Sequence, residues 1–148
     1  MQTNEIARLR QMDEAAKREK HPAVPPHALP KSRHTGSGNA NRITDAVMDY
    51  IGYMGGHASR INTQGQWDEK LGKWRKSGST GGVSDVLACF RGRSVAVEVK
   101  AGKDALREGQ VVWRDRHIAA GGLYFVARDF TSFFNWFNQT FDINPAKP

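Results

Sequence analysis

Apolar positions along this chain fall at helical spacing in some stretches and at strand spacing in others. Between residues 4 and 20 the stripe is thin: Ile6, Leu9 and Met12, set among charged residues and alanines. Such a segment predicts a helix that is marginal alone, so residues 1–20 read as an N-terminal helical extension in need of a partner surface. Residues 21–40 carry Pro22, Pro25, Pro26, Pro30, Gly36 and Gly38, the composition of an extended linker. The compact part predicted for residues 41–141 opens with Ile43, Val47, Tyr50, Ile51 and Met54 on one helix face, stopped by Gly55-Gly56. A short strand follows over His57–Asn62.

Residues 64–82 are polar and Gly-rich, with a hairpin signal near Leu71-Gly72. A two-residue loop there sets Lys70 against Lys73, and a longer turn from Lys70 to Lys73 leaves Glu69 opposite Trp74. Either way Trp67 and Trp74 reach neighbouring strands, close enough to interact. They read as indoles covering the core. Two strands, Val83–Arg91 and Arg93–Lys100, join at Gly92. Asp104 is the expected cap of a helix over 105–120, ended by Gly121-Gly122. Leu123–Ala127 forms an apolar strand, and Asp129 caps a last helix with Phe130, Phe133, Phe134 and Phe137 on one face. Residues 142–148 form a tail. This order predicts an α/β fold with a mixed sheet flanked by helices.

The strand over 94–100 alternates cleanly. Val95, Val97 and Val99 face one way, and Ser94, Ala96, Glu98 and Lys100 the other. Closing the hairpin with a two-residue loop at Arg91-Gly92 pairs Phe90 with Arg93. The same register sets Asp85 opposite Glu98, with Cβ atoms roughly 4.5–5.5 Å apart. Val86, Ala88 and Phe90 then join the valines on the core face. The register that buries the apolar residues therefore also brings two carboxylates together. Adjacent carboxylates repel, and a hard divalent cation removes that conflict. Lys100 projects from the same face, where an ammonium can orient water or offset phosphate charge. An isolated Glu-Val-Lys is weak grounds for catalysis; the matching Asp85 and the Gly before it strengthen the case.

Charge adds to this picture. The net charge is +7, which favours polyanionic partners such as nucleic acid. The excess is shared between the first 38 residues and the rest, so the N-terminal segment is not a dense basic arm. One cysteine, Cys89, excludes an internal disulfide and reads as a small buried hydrophobe. No apolar stretch approaches the roughly 20 residues of a membrane helix, and no signal-peptide h-region follows Met1. The histidines form no zinc-ligand spacing; His117 falls on the helix face of Gln110 and Trp113. The basic set around the Trp-rich hairpin, Lys70, Lys73, Arg75 and Lys76, suits phosphate contact. Lys103 and Arg107 lie just past the Glu-Val-Lys strand, where a phosphate can approach a helix start.

Gly82-Val83-Ser84-Asp85-Val86, then Val97-Glu98-Val99-Lys100, then Gln110 on the next helix resemble the PD-(D/E)XK nuclease superfamily, most closely its VRR-NUC group, over roughly residues 41–137. The resemblance implies a restriction-endonuclease-like core and metal-dependent hydrolysis of DNA phosphodiesters. It makes Asp85 and Glu98 metal ligands with the backbone carbonyl of Val99, Lys100 the catalytic lysine, and Gln110 a residue positioning that lysine or the phosphate. Mg²⁺ is the implied ion, with Mn²⁺ as a substitute. It also implies DNA as partner, with a homodimer and phage or host replication and repair proteins as further candidates, in the cytoplasm of a bacterial or phage-infected cell. One departure stands out. Relatives carry a Glu on the first helix, where this chain reads Asn39-Ala40-Asn41-Arg42, with Asp45 the nearest acid and the candidate replacement. Two alternatives stay open: a non-catalytic nucleic-acid-binding module, and a dimeric Holliday-junction resolvase.

Overall fold

The hairpin predicted at Gly92 forms the centre of the sheet. In the computed structural model, which describes residues 4–36, 38–62, 65–76, 78 and 80–145, strands β4 (Val86–Phe90) and β5 (Arg93–Val99) pair antiparallel. Phe90 faces Arg93 and Val86 faces Val97, the predicted register. The turn works because Arg91 and Gly92 both take positive φ, 47° and 74°, as a two-residue hairpin loop matched to strand twist requires. Strand β1 (His57–Arg60) adds antiparallel to β4. Strand β6 (Leu123–Ala127) adds parallel to β5, giving the order β1-β4-β5-β6.

Helices α1 (Asn4–Lys20), α2 (Ala40–Tyr53) and α4 (Phe130–Thr140) pack together on one face of this mixed sheet. Helix α3 (Glu108–Ala119) crosses from β5 to β6 and packs against β6. The core joins Val86, Ala88, Phe90, Val95, Val97 and Val99 to Val47, Tyr50 and Ile51 of α2 and the phenylalanines of α4. The helix signals read from sequence hold at several ends. Asn39 caps α2 by accepting from Asn41 N, and Asp129 caps α4 by accepting from Ser132 N. Both glycine pairs end helices by the paired bonds of a Schellman motif: Gly56 N to Ile51 O at 2.9 Å and Gly122 N to His117 O at 3.0 Å.

Several expectations are corrected. Helix α1 is no detached arm: Leu9 is fully buried and Ile6 nearly so, both within the core cluster. The proline-rich stretch is not a free linker. After a 3-10 turn at Pro26–Ala28 it is strapped between α1 and α2, with Lys17 Nζ donating to the carbonyls of Pro30 and Lys31. Arg33 pairs with Asp49 at 2.7 Å, and the buried His34 lies 3.1 Å from the same carboxylate. Asp104 caps nothing, because α3 begins four residues later. Arg128 instead holds the carbonyls of Gly102 and Asp104 in a loop. Cys89 points to the exposed side of β4.

The Trp hairpin also differs. Strands β2 (Gln66–Asp68) and β3 (Lys73–Arg75) form a separate two-stranded sheet in which Trp67 faces Trp74 directly and Asp68 faces Lys73. The register shifts because Asp68 Oδ1 accepts from Leu71 N, folding residues 69–72 into a four-residue loop. Neither indole covers the core: Trp67 is 53% and Trp74 69% exposed.

Candidate active site

The site begins with a glycine. Gly82 takes a φ of +82°, and a Cβ built there falls 2.1 Å from Gly109 O, inside α3. Only a residue without a side chain lets the loop before β4 press on the start of α3. That contact sets the distance between Ser84-Asp85 on one side and Gln110 on the other. Asp85 follows in the last step before β4, where its carbonyl accepts from Ile61 N at 2.8 Å. Its side chain turns across the hairpin, and Oδ2 accepts from Val99 N at 2.8 Å. The predicted approach of Asp85 to the Glu98–Val99 end of β5 is therefore made by a hydrogen bond as well as by register.

Glu98 is where the sequence pattern misleads. Strand alternation predicts an open face for Glu98, yet it is 2% exposed. Helix α3 roofs that face, with Trp113 stacked on His117 and tilted against Tyr124 of β6. The Glu98 carboxylate meets Lys100 Nζ at 3.2 Å and accepts from Gln110 Nε2, both at Oε1. Gln110 Oε1 accepts from Lys100 Nζ at 2.9 Å and from Arg107 N at 2.9 Å. One amide thus ties Lys100, the buried acid and the first turn of α3 together. Burial pushes the Glu98 pKa above its ordinary value, and the neighbouring Asp85 charge pushes it further. Lys100 acts against both by contact and charge.

The other Glu98 oxygen, Oε2, is buried with no side-chain donor on it, and the Asp85 backbone N–H is the further group that favours the ionised carboxylate. Buried beside the Asp85 charge, the ionised carboxylate needs positive charge beyond Lys100 to offset its desolvation. A divalent cation held between Glu98 and Asp85, with the intervening backbone of Val99, meets that need, so these residues fit the group. Asp45 does not join them. It sits on α2 with Arg33 at 3.9 Å, and Asn41 accepts from Arg60 of β1. Among the described residues no three His, Cys, Asp or Glu side chains gather as a metal cluster. The chain would supply two carboxylates to an ion at this site.

Comparison with protein-family models finds no match for this chain, and comparison with curated proteins finds none either. The site's chemistry therefore rests on its own residues.

Beside Gln110 opens a groove of about 730 Å³, walled by Trp74, Arg75 and Lys76 of the hairpin and by Arg107, Gly109 and Gln110 of α3, with residues 80–83 between them. Three of the basic residues predicted to contact nucleic acid, Arg75, Lys76 and Arg107, meet here. Lys70 lies in the hairpin loop, Lys73 opposes Asp68, and Lys103 is exposed in the loop before α3; none of these lines the groove. Sequence reasoning missed Ser84 and Tyr124, whose buried hydroxyls lie beside each other next to Glu98. The polar residue within Gly-Val-Ser-Asp was the available signal for Ser84. Nothing local marked Tyr124. No helix among the described residues is long and apolar enough to cross a membrane.

Proposed function

We propose that this chain is a metal-dependent nuclease of the PD-(D/E)XK kind, similar to the VRR-NUC group, that hydrolyses phosphodiester bonds in DNA. The observation that carries the reading is the buried Glu98 beside Asp85, with one oxygen shared by Lys100 and Gln110 and no side chain donating to the other. Two carboxylates held close together under a helix, with a lysine on only one oxygen of the buried one, suit a cation between them.

When bound, Mg²⁺ or Mn²⁺ supplies Lewis-acid polarisation of the phosphate and a water of lowered pKa. Asp85 and Glu98 would hold the ion, and the Val99 carbonyl would join them. Lys100 stands 3.2 Å from Glu98 with its ammonium fixed by Gln110, placed to orient a water and to offset charge gathering on the phosphate oxygens. Gln110 restricts the lysine to one geometry, so little reorganisation accompanies the reaction. Arg107 and the start of α3 offer positive potential to the phosphate backbone in the groove.

Cleavage of linear, flapped and four-way DNA in Mg²⁺ tests the proposal and separates its competitors. Loss of cleavage in Asp85→Ala and Lys100→Ala with binding retained supports the enzyme. Binding without cleavage by the unaltered chain marks a non-catalytic module, and selective cutting of four-way DNA by a dimer marks a resolvase. Undiminished cleavage in both variants rejects the site.

A further inference from the structure

We infer that the β2–β3 hairpin is a stacking platform for an unpaired nucleobase, so that the substrate class is nucleic acid with a single-stranded stretch beside the bond to be cut. This deepens the nuclease reading and rests on it.

The indoles of Trp67 and Trp74 lie with ring centroids 6.0 Å apart at an interplanar angle of 67°. In an edge-to-face pair one ring lends only its edge, so its two faces stay available. The pair belongs to no part of the core cluster, and both rings are more than half exposed. Pairing of the indoles stabilises the hairpin, but it does not explain why Trp74 turns into a groove. The lining of that groove brings together Trp74, Arg75, Lys76 and Arg107, with no carboxylate in it. Gln110, on its far wall, contacts Lys100 and Glu98 directly. An aromatic face and a run of cations therefore share one groove with Gln110, the residue that links the groove to Lys100 and Glu98.

The charge calls for a polyanion, and the aromatic face decides its form. Bases in a duplex already stack on one another and show a protein only their edges and phosphates. A ring face can be used only by a base out of its stack, and stacking on an aromatic side chain then adds affinity whatever the base. A chain of phosphates following Arg75, Lys76 and Arg107 with one base on Trp74 satisfies both features. Arg75 already pairs with Asp68 at 3.3 Å, but an apolar protein segment would use the indoles and leave Lys76 and Arg107 without an anion in the groove.

The full chain, in EDTA so that nothing is cut, is titrated by fluorescence anisotropy against a labelled oligo-dT strand and against a blunt duplex. Trp74→Ala lowers the affinity for the single strand relative to the duplex by about tenfold, and Trp74→Phe, which keeps a ring face, restores most of the ratio. An unchanged ratio in Trp74→Ala overturns the platform and reduces the indoles to hairpin stabilisers. Equal loss on both substrates overturns it too, since the hairpin then serves only as a backbone contact or has unfolded. If the ratio stays put while Mg²⁺-dependent cleavage still disappears in Asp85→Ala, the platform fails and the nuclease stands. If the unaltered chain neither binds nor cuts nucleic acid, both fail.

Discussion

Gly82→Ala should damage stability and chemistry together, and the structure gives the size of each effect. The new methyl would sit 2.1 Å from Gly109 O, 2.4 Å from Gly109 C and 2.9 Å from Gln110 N. All three are backbone atoms, so no side chain can swing aside. Restoring ordinary contact requires the loop and α3 to separate by about 1 Å, a strain worth about 1–3 kcal/mol by analogy with overpacked cores. The φ of +82° adds about 1–2 kcal/mol for a residue with a Cβ. A total loss of about 2–5 kcal/mol follows from these two terms. The same displacement carries Gln110 away from Lys100, and a misplacement near 1 Å can cost about 100-fold in rate. Gly92→Ala isolates the backbone term: its φ is +74°, nothing lies within 4 Å of the added methyl, and it sits at the far hairpin tip. Urea unfolding and DNA cleavage on both variants provide the test. Gly92→Ala should lose about 1–2 kcal/mol and keep its cleavage rate. Gly82→Ala with the stability of Gly92→Ala and full activity would refute the idea that this glycine spaces the site.

Glu98→Gln should raise the metal-free unfolding midpoint at neutral pH while abolishing cleavage. The sign follows from its raised pKa: above the ordinary value of 4.5 the unfolded chain releases its proton first, so stability falls as pH rises until the folded carboxyl has also ionised. The advantage of Gln should therefore shrink toward pH 4, and a variant less stable than its parent at pH 7.5 in EDTA would contradict the account. Gln110→Ala removes bonds to Lys100, Glu98 and Arg107 N and should cost about 1–3 kcal/mol. Its kinetic defect should fall on kcat rather than KM, since the lysine loses its fixed geometry; a change in KM alone would assign Gln110 to substrate binding. Leu9→Ala empties a fully buried position and should cost about 2–5 kcal/mol by thermal or urea unfolding. Parental stability there would mean that α1 is detachable after all.

The β4–β5 hairpin was legible because two independent constraints agreed. Alternating valines fixed which face is buried, and Arg91-Gly92 fixed the turn, so the opposition of Asp85 and Glu98 followed by counting. The helix stops at Gly55-Gly56 and Gly121-Gly122 were legible for a similar reason, since backbone bonds confined to one turn decide them. The β2–β3 hairpin lacked that agreement. Its register depends on Asp68 bonding to Leu71 N, a side-chain choice that competes with the glycine-centred turn the sequence suggests. Residues 21–40 read as linker because their prolines and glycines disfavour long regular elements; the contacts of Lys17, Arg33 and His34 that hold this stretch down join residues from separate elements and leave no local pattern.

The burial of Glu98 was beyond a strand-level reading for a deeper reason. Alternation says which residues share a face, but it does not say whether that face is covered. The cover is α3, which the parallel crossover from β5 to β6 places over Glu98, at a spacing set by one glycine contact. With the helix in place an ordinary surface acid becomes a buried one, raised in pKa by that burial and by Asp85. A sequence selected for stability alone would have put an apolar residue there, as it did at Ala96 on the same face. Retaining a carboxylate under a roof beside Asp85, with a lysine and a glutamine clamped to one oxygen and no side chain on the other, makes sense if the two acids hold a cation. Adding Mg²⁺ to the metal-free protein should then raise its unfolding midpoint, and the gain should vanish in Glu98→Gln. A gain of equal size in that variant would place the ion elsewhere and detach the buried acid from the chemistry.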